Sequence, residues 1–290
     1  MSFKVQVGPV QIAIHQGQTV LVTEPDGQVI WPSKGGLYFR DTRVVSSWVI
    51  YANGERWDLL NGGAISAHAA RIYATNHAFM SEDGPIRART LGLVIGRHIE
   101  GGLHEDIDVT NNGLTPVRFN LEIAIRSDFA DILEIKNNAI VRRGSITTSW
   151  SGRRQVLRIS YRNRDFCRGI IVRTGNANAV PALSANGRLS FEIALKAGEA
   201  WHRCIVYELV NGETHIRAPG RCTDSSETTD HAEKIDNWRR TVLKITTSNE
   251  EFYRCYNQGI LDMAALRSVS YTHLRAHETP EHLVCRLLLE

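Results

Sequence analysis

Apolar and polar positions alternate with a period of two along most of the chain. Residues 3–7 (FKVQV), 20–23 (VLVT), 117–125 (VRFNLEIAI), 156–161 (VLRISY) and 189–195 (LSFEIAL) each send every second side chain to one side. This is the pattern of a strand with one face on a core and the other in water. Turn residues separate these runs. Asn53-Gly54 stands between residues 48–51 and 57–60, Gly101-Gly102 between 91–100 and 103–110, and Asn111-Asn112-Gly113 follows. Such dipeptides supply the positive φ angles of tight hairpin turns. Successive strands with short turns and no helical period between them predict a mainly β fold, an antiparallel β-sandwich, over residues 1–211.

The pattern changes beyond residue 211. Residues 211–226 are polar with Pro and Gly, and residues 228–241 are helix-compatible, with Ile235 and Trp238 three apart. Residues 212–247 therefore read as a linker with a short helix. Ser248 and Glu251 have the spacing of a capping box. The helix they open carries Phe252, Tyr256, Ile260, Met263 and Leu266 at steps of three and four. An apolar stripe of this kind requires a partner surface, so residues 248–268 are expected to be the first helix of a second, truncated domain.

Composition narrows the class. The 290 residues are 42% hydrophobic and 22% charged, and no apolar run reaches the roughly 18–20 residues of a membrane span. The N-terminus lacks the apolar core and small-residue cleavage site of a signal peptide. The five scattered cysteines show no CxxC spacing and read as reduced, in a cytoplasmic protein. With 34 basic and 31 acidic residues well mixed, no basic face for nucleic acid is expected. The final segment, residues 269–290, resembles a translated sequencing adapter. VSYTHLRAHET (269–279) and LVCRLLL (283–289) correspond to its two constant ends, and His282 satisfies the NAT codon that the frame across the index demands. With that artefactual tail excluded from fold reasoning, 32 basic and 28 acidic residues leave a charge of +4, with four cysteines.

Several residues offer chemistry. In residues 35–43 (GGLYFRDTR), Arg40, Asp41 and Arg43 could engage sugar hydroxyls, or Asp41 could cap a turn that Arg43 clamps. In residues 127–136 (SDFADILEIK), Asp128, Asp131 and Glu134 recur every third position, which on one helical turn gives a shared acidic face. Phe129, Ile132, Leu133 and Ile135 alternatively make a short buried turn. His104, Asp106 and Asp108 resemble hard-metal ligands but fall on the wet face of a strand, with no coordination number fixed. His68 and His77 have no partner at ligand spacing. Trp31, Tyr38, Trp48, Tyr51 and Trp57 crowd one stretch, as sandwich core or as stacking surface for sugar rings. No GxSxG, HExxH, P-loop or dinucleotide fingerprint occurs, and no metal or cofactor is expected.

Residues 19–27, 36–43 (GLYFRDTR), 44–48, 91–97, 108–111 (DVTN) and 128–136 (DFADILEIK), in that order, resemble the N-terminal domain of bacterial glycogen-debranching-like proteins, the amylo-α-1,6-glucosidase group. Residues 257–263 (NQGILDM) resemble the first helix of the domain that follows. The resemblance implies a mutarotase-like β-supersandwich attached to a C-terminal (α/α)6 toroid that holds the catalytic carboxylates. It implies an α-glucan or oligosaccharide substrate met through the full-length protein, while the composition gives no expectation of a nucleic-acid or membrane partner. No catalytic residue of this chain is expected, because glycoside hydrolysis needs a carboxyl pair across the scissile bond and none here can be assigned. Arg40, Asp41, Arg43, Asp128 and Asp131 are the expected substrate-binding positions. A free-standing carbohydrate-binding sandwich and a mutarotase-like enzyme with a His/carboxylate pair are the alternatives.

Overall fold

A computed structural model of the chain describes residues 11–174, 183–185, 187–218 and 237–266. The strand expected at residues 3–7, the middle of the linker and the tail 269–290 lie outside the described residues. The chain divides into two units, residues 12–223 and a second that includes the described segment 237–266.

The first unit is antiparallel β throughout its described sheets. Strands β1 (Ile12–Gln16), β2 (Thr19–Thr23), β3 (Gly36–Phe39) and β4 (Thr42–Val45) form a sheet in sequence order. A second sheet has the order β16 (Leu183–Ala185), β17 (Arg188–Leu195), β12 (Val117–Arg126), β5 (Ser47–Ala52). The largest runs β13 (Ser145–Ser151), β14 (Val156–Asn163), β15 (Phe166–Thr174), β18 (Ala200–Asn211), β11 (Gly102–Asn111), β10 (Leu91–Glu100), β7 (Ala69–Asn76), β6 (Trp57–Ser66). β19 (Thr214–Ile216) adds to β18, and β8 (Phe79–Ser81) pairs with β9 (Gly84–Ile86).

Periodicity becomes burial directly. In β10 every odd residue from Leu91 to Ile99 is buried and every even one half-buried. Apolar residues of the three main sheets belong to one core. Trp48 of β5 meets Tyr207 of β18 with ring centroids 4.3 Å apart, and Phe191 of β17 meets Trp201 of β18 at 5.7 Å. The β5/β12/β17 sheet thus faces the large sheet, giving the antiparallel sandwich expected from the sequence. Each fully buried Leu or Ile in it stabilises by roughly 1.5–3 kcal/mol.

Two local outcomes qualify the turn pattern. Gly101 turns β10 into β11, whose register runs from Leu91 opposite Asn111 to Glu100 opposite Gly102. Asn53-Gly54 also forms its tight turn, with both residues at positive φ and Ala52 and Glu55 exchanging two backbone hydrogen bonds. Pairing stops there, because β5 continues with β12 and β6 with β7. The turn sends the chain from one sheet to the other.

The first unit also holds the short helix α1 (Ile132–Lys136); in the second unit residues 237–241 are helical and α2 spans Glu250–Leu266. Its cap is Asn249, one residue beyond the expected Ser248. The Asn249 side-chain oxygen accepts the N–H of Phe252 at 2.9 Å, satisfying a first-turn donor. Within the unit, Trp238 Nε1 donates to Ile260 O at 3.2 Å and Tyr256 hydroxyl donates to Leu243 O. Phe252 and Met263 are more than half exposed. Among the described residues no helix is long and apolar enough to cross a membrane.

Candidate functional site

The two most distinctive sequence blocks are stitched together. β3 and β4 are joined by Arg40 and Asp41, with Arg40 at φ 54°. After β12 the chain runs alongside this hairpin: Arg43 N–H donates to Ala130 O at 3.0 Å and Ile132 N–H to Asp41 O at 2.9 Å, with a bridge between Thr42 and Asp131. Gly36 is required at the base of the hairpin. Its φ is +149°, and a Cβ there would stand 2.3 Å from Val45 O and 2.7 Å from Arg43 Cδ.

Arg43 is fully buried and every donor group of its guanidinium is engaged. Nε donates to Asp128 Oδ1 at 3.2 Å and Nη2 to Asp128 Oδ2, while Nη1 donates to Ser33 O at 2.7 Å and Gly35 O at 3.2 Å. The bidentate fork matches carboxylate geometry and fixes orientation as well as charge. Asp128 Oδ1 also accepts Ala130 N–H at 3.2 Å. The half-exposed Trp31 lies with its ring centroid 5.6 Å from the Arg43 guanidinium carbon. Burial pushes the Tyr38 phenol up to about 12, partly offset by the Arg43 cation, and its hydroxyl donates to Lys34 O.

The carboxylates beyond Asp128 do other work. Asp131 caps α1 (Ile132–Lys136), accepting Leu133 N–H at 2.8 Å, and Glu134 reaches back to Asp131 N–H at 3.4 Å. Glu134 is also paired with Arg143. Asp128, Asp131 and Glu134 therefore serve a clamp, a cap and a surface pair, and the shared acid/base face that their spacing suggested does not form. The expected buried turn is also only partial: Phe129 and Ile135 are buried, but Leu133 is exposed. Arg40 and Asp41 remain at the surface, with Arg40 Nε donating to Gln18 at 3.1 Å. Burial and then the neighbouring Arg40 cation lower the pKa of Arg168, which Asp41 opposes.

The aromatic stretch divides. Tyr38, Trp48 and Trp57 are core residues, Tyr51 is half-buried, and Trp31 is exposed. His77 pairs with Asp58 at 3.0 Å on the surface, and His68 lies against His98 with ring centroids 5.2 Å apart. A cavity of about 130 Å³ is lined by Asn53, Glu82, Arg118, Phe119, Asn120 and Glu192, none of them a histidine.

Sequence order concealed a further cluster. β18 pairs with β11, placing Cys204 opposite Asp106 and His202 opposite Asp108. His104 Nε2 is 3.0 Å from Asp106 Oδ1, and His202 Nδ1 is 2.7 Å from Asp108 Oδ1. Cys204 Sγ is 3.2 Å from Asp106 Oδ1 and 3.2 Å from His202 Nε2. Cys204 is disulfide-bonded, against the expectation of reduced cysteines, while Cys167 and Cys255 are free. Spacing along the chain does not reveal which sulfurs a fold brings together.

Residues 14–206 match a family described as the N-terminal domain of (some) glycogen debranching enzymes. No curated protein matches the chain in sequence. Similar solved structures include the Slr1438 protein of Synechocystis sp. PCC 6803, at 9% identity and TM-score 0.43, covering 73% of this chain and 99% of that one. A galactose mutarotase-like protein from Clostridium acetobutylicum aligns at 7% identity and TM-score 0.32, covering 69% of this chain and 94% of that one.

Proposed function

The chain belongs to the family of N-terminal domains of glycogen debranching enzymes, and from that premise we infer that it is the accessory β-domain of a glycoside hydrolase of the amylo-α-1,6-glucosidase type. The complete protein acts on α-glucans through a following (α/α)6 domain that holds the catalytic carboxylates.

The observation that carries this reading is the family match over residues 14–206, which coincides with the β-unit from Ile12 onward. Two others support it. Asp128, Asp131 and Glu134 already serve a clamp, a helix cap and a surface ion pair, so none of the three is paired with another as an acid/base couple. The helix α2 exposes Phe252, Tyr253 and Met263, as the first helix of a larger helical domain would.

In this reading the hairpin surface helps form the mouth of the active site. Arg43 and Asp128 hold its shape, and Arg40, Asp41 and Asp131 on the surface contact sugar hydroxyls. Trp31 offers an aromatic face of the kind on which sugar rings stack. The test is incubation of this chain alone with α-1,6-branched dextrins. No glucose above background is expected, and enzymatic turnover would sink the assignment of catalysis to another domain.

A further inference from the structure

The side chains that β11 and β18 direct to the same face form a donor set of three chemical kinds. His104 Nε2, Asp106 Oδ1 and Cys204 Sγ all lie within 4.8 Å of one another. His202 Nε2 lies beside two of them, 3.2 Å from Cys204 Sγ and 3.8 Å from Asp106 Oδ1. Four ligands at zinc bond lengths of about 2.0–2.3 Å stand about 3.3–3.8 Å apart at the corners of a tetrahedron. Four of the six separations among these donors are 3.0, 3.2, 3.2 and 3.8 Å, within or just below that range, and His202 must draw closer to His104 for all four to ligate one ion.

Orientation supports the same chemistry. His202 Nδ1 is 2.7 Å from Asp108 Oδ1. A proton held in that bond leaves the Nε2 lone pair facing Asp106 and Cys204, the arrangement by which an outer carboxylate fixes the tautomer of a ligating histidine. His104 is 2% exposed, so its imidazole is held in place by packing. Two imidazoles, a carboxylate and a sulfur suit a divalent transition ion, whereas calcium and magnesium take oxygen.

The sulfur decides when the site exists. A thiolate binds metal, but Cys204 is disulfide-bonded in this structure and a disulfide sulfur carries no such charge. We propose that His104, Asp106, His202 and Cys204 form a thiol-gated site for a divalent transition ion of the zinc class, in which the disulfide and the metal compete for one sulfur. Opening the site takes two electrons and two protons from a dithiol, which itself becomes a disulfide, and releases Cys204 and its partner as thiols. Metal binding then releases the Cys204 thiol proton to solvent as the metal–sulfur bond forms.

The test is a titration of the metal-free protein with Co²⁺, once oxidised and once reduced with a phosphine, which is converted to its oxide. The reduced protein should bind one equivalent with a thiolate-to-cobalt charge-transfer band. The oxidised protein should lack the band and bind at least about tenfold more weakly. Cys204→Ser should abolish the band in reduced protein, and Cys167→Ser should keep it. Asp108→Asn should keep the band and weaken binding by about tenfold or more, as loss of an outer partner does. If Cys204→Ser fails to fold, the oxidised and reduced wild-type titrations still decide. No band in reduced wild-type protein, or a band that survives in Cys204→Ser, overturns the proposal.

Discussion

The guanidinium carbon of Arg97 lies 4.2 Å from the centroid of the Trp48 ring, between the two facing sheets. Arg97 and Glu105 are both essentially unexposed, with Arg97 Nε donating to Glu105 Oε1 at 2.9 Å and Tyr207 hydroxyl donating to Glu105 Oε2 at 2.7 Å. A buried pair of this kind costs desolvation and gains little over apolar packing, but losing one partner strands the other charge. Arg97→Met should therefore destabilise the fold by about 3–5 kcal/mol. Arg97→Met combined with Glu105→Leu should recover part of that loss, because the buried Tyr207 hydroxyl then lacks its acceptor. Chemical denaturation of the two single variants and the double variant measures the coupling, and additive losses would refute it.

The hairpin clamp separates structural from surface positions. Asp128→Ala leaves the fully buried Arg43 without its carboxylate and should cost about 2–4 kcal/mol, below the fully buried case because the Asp128 side chain is 19% exposed. Arg40→Ala removes an exposed hydrogen bond to Gln18 and should stay within about 0.5 kcal/mol. Urea midpoints of the two variants check this ordering.

Gly36 tests the close approach of β3 to β4. A methyl group there meets Val45 O at 2.3 Å, and an L-residue is strained at φ +149°. Gly36→Ala should destabilise by about 2–4 kcal/mol, with the near-ultraviolet signal of the neighbouring aromatics perturbed.

Alkaline pH should unfold the β-unit through its buried phenols. Tyr38 keeps its proton when folded to about pH 12, against an ordinary value of 10.0, because burial disfavours the phenolate. The same cause pushes Tyr207 well above its ordinary value. Between those pH values the folded chain binds more protons than the unfolded one, so stability is intact below pH 10 and falls as pH rises toward 12. Urea titrations at pH about 9.5 and about 11.5 should show this loss, and Tyr38→Phe should reduce it.

Strands such as β12 and β17 were legible because each alternates apolar with polar residues, and burial follows that alternation. The clamp was half legible. Arg43 and Asp128 sit in conspicuous blocks, but they are 85 positions apart and only the path from β12 back to the hairpin joins them. Nothing local announces that the Asn53-Gly54 turn hands the chain to another sheet, because the turn is the same whether or not pairing continues. Likewise His104, Asp106 and Asp108 form one row visible in sequence, while His202 and Cys204 join it through strand order alone. The cap of α2 slid from Ser248 to Asn249 because adjacent residues both carry a capping oxygen and side-chain geometry chooses between them.

Glucose release from an α-1,6-branched dextrin distinguishes an accessory β-domain, with its catalytic carboxylates in a following domain, from a self-sufficient enzyme. A longer protein that joins this β-unit to a following (α/α)6 domain should be measured beside the present chain. Release by the longer protein is expected, and none above background by this chain. Release by this chain alone, or none from a folded longer protein, would contradict the accessory role.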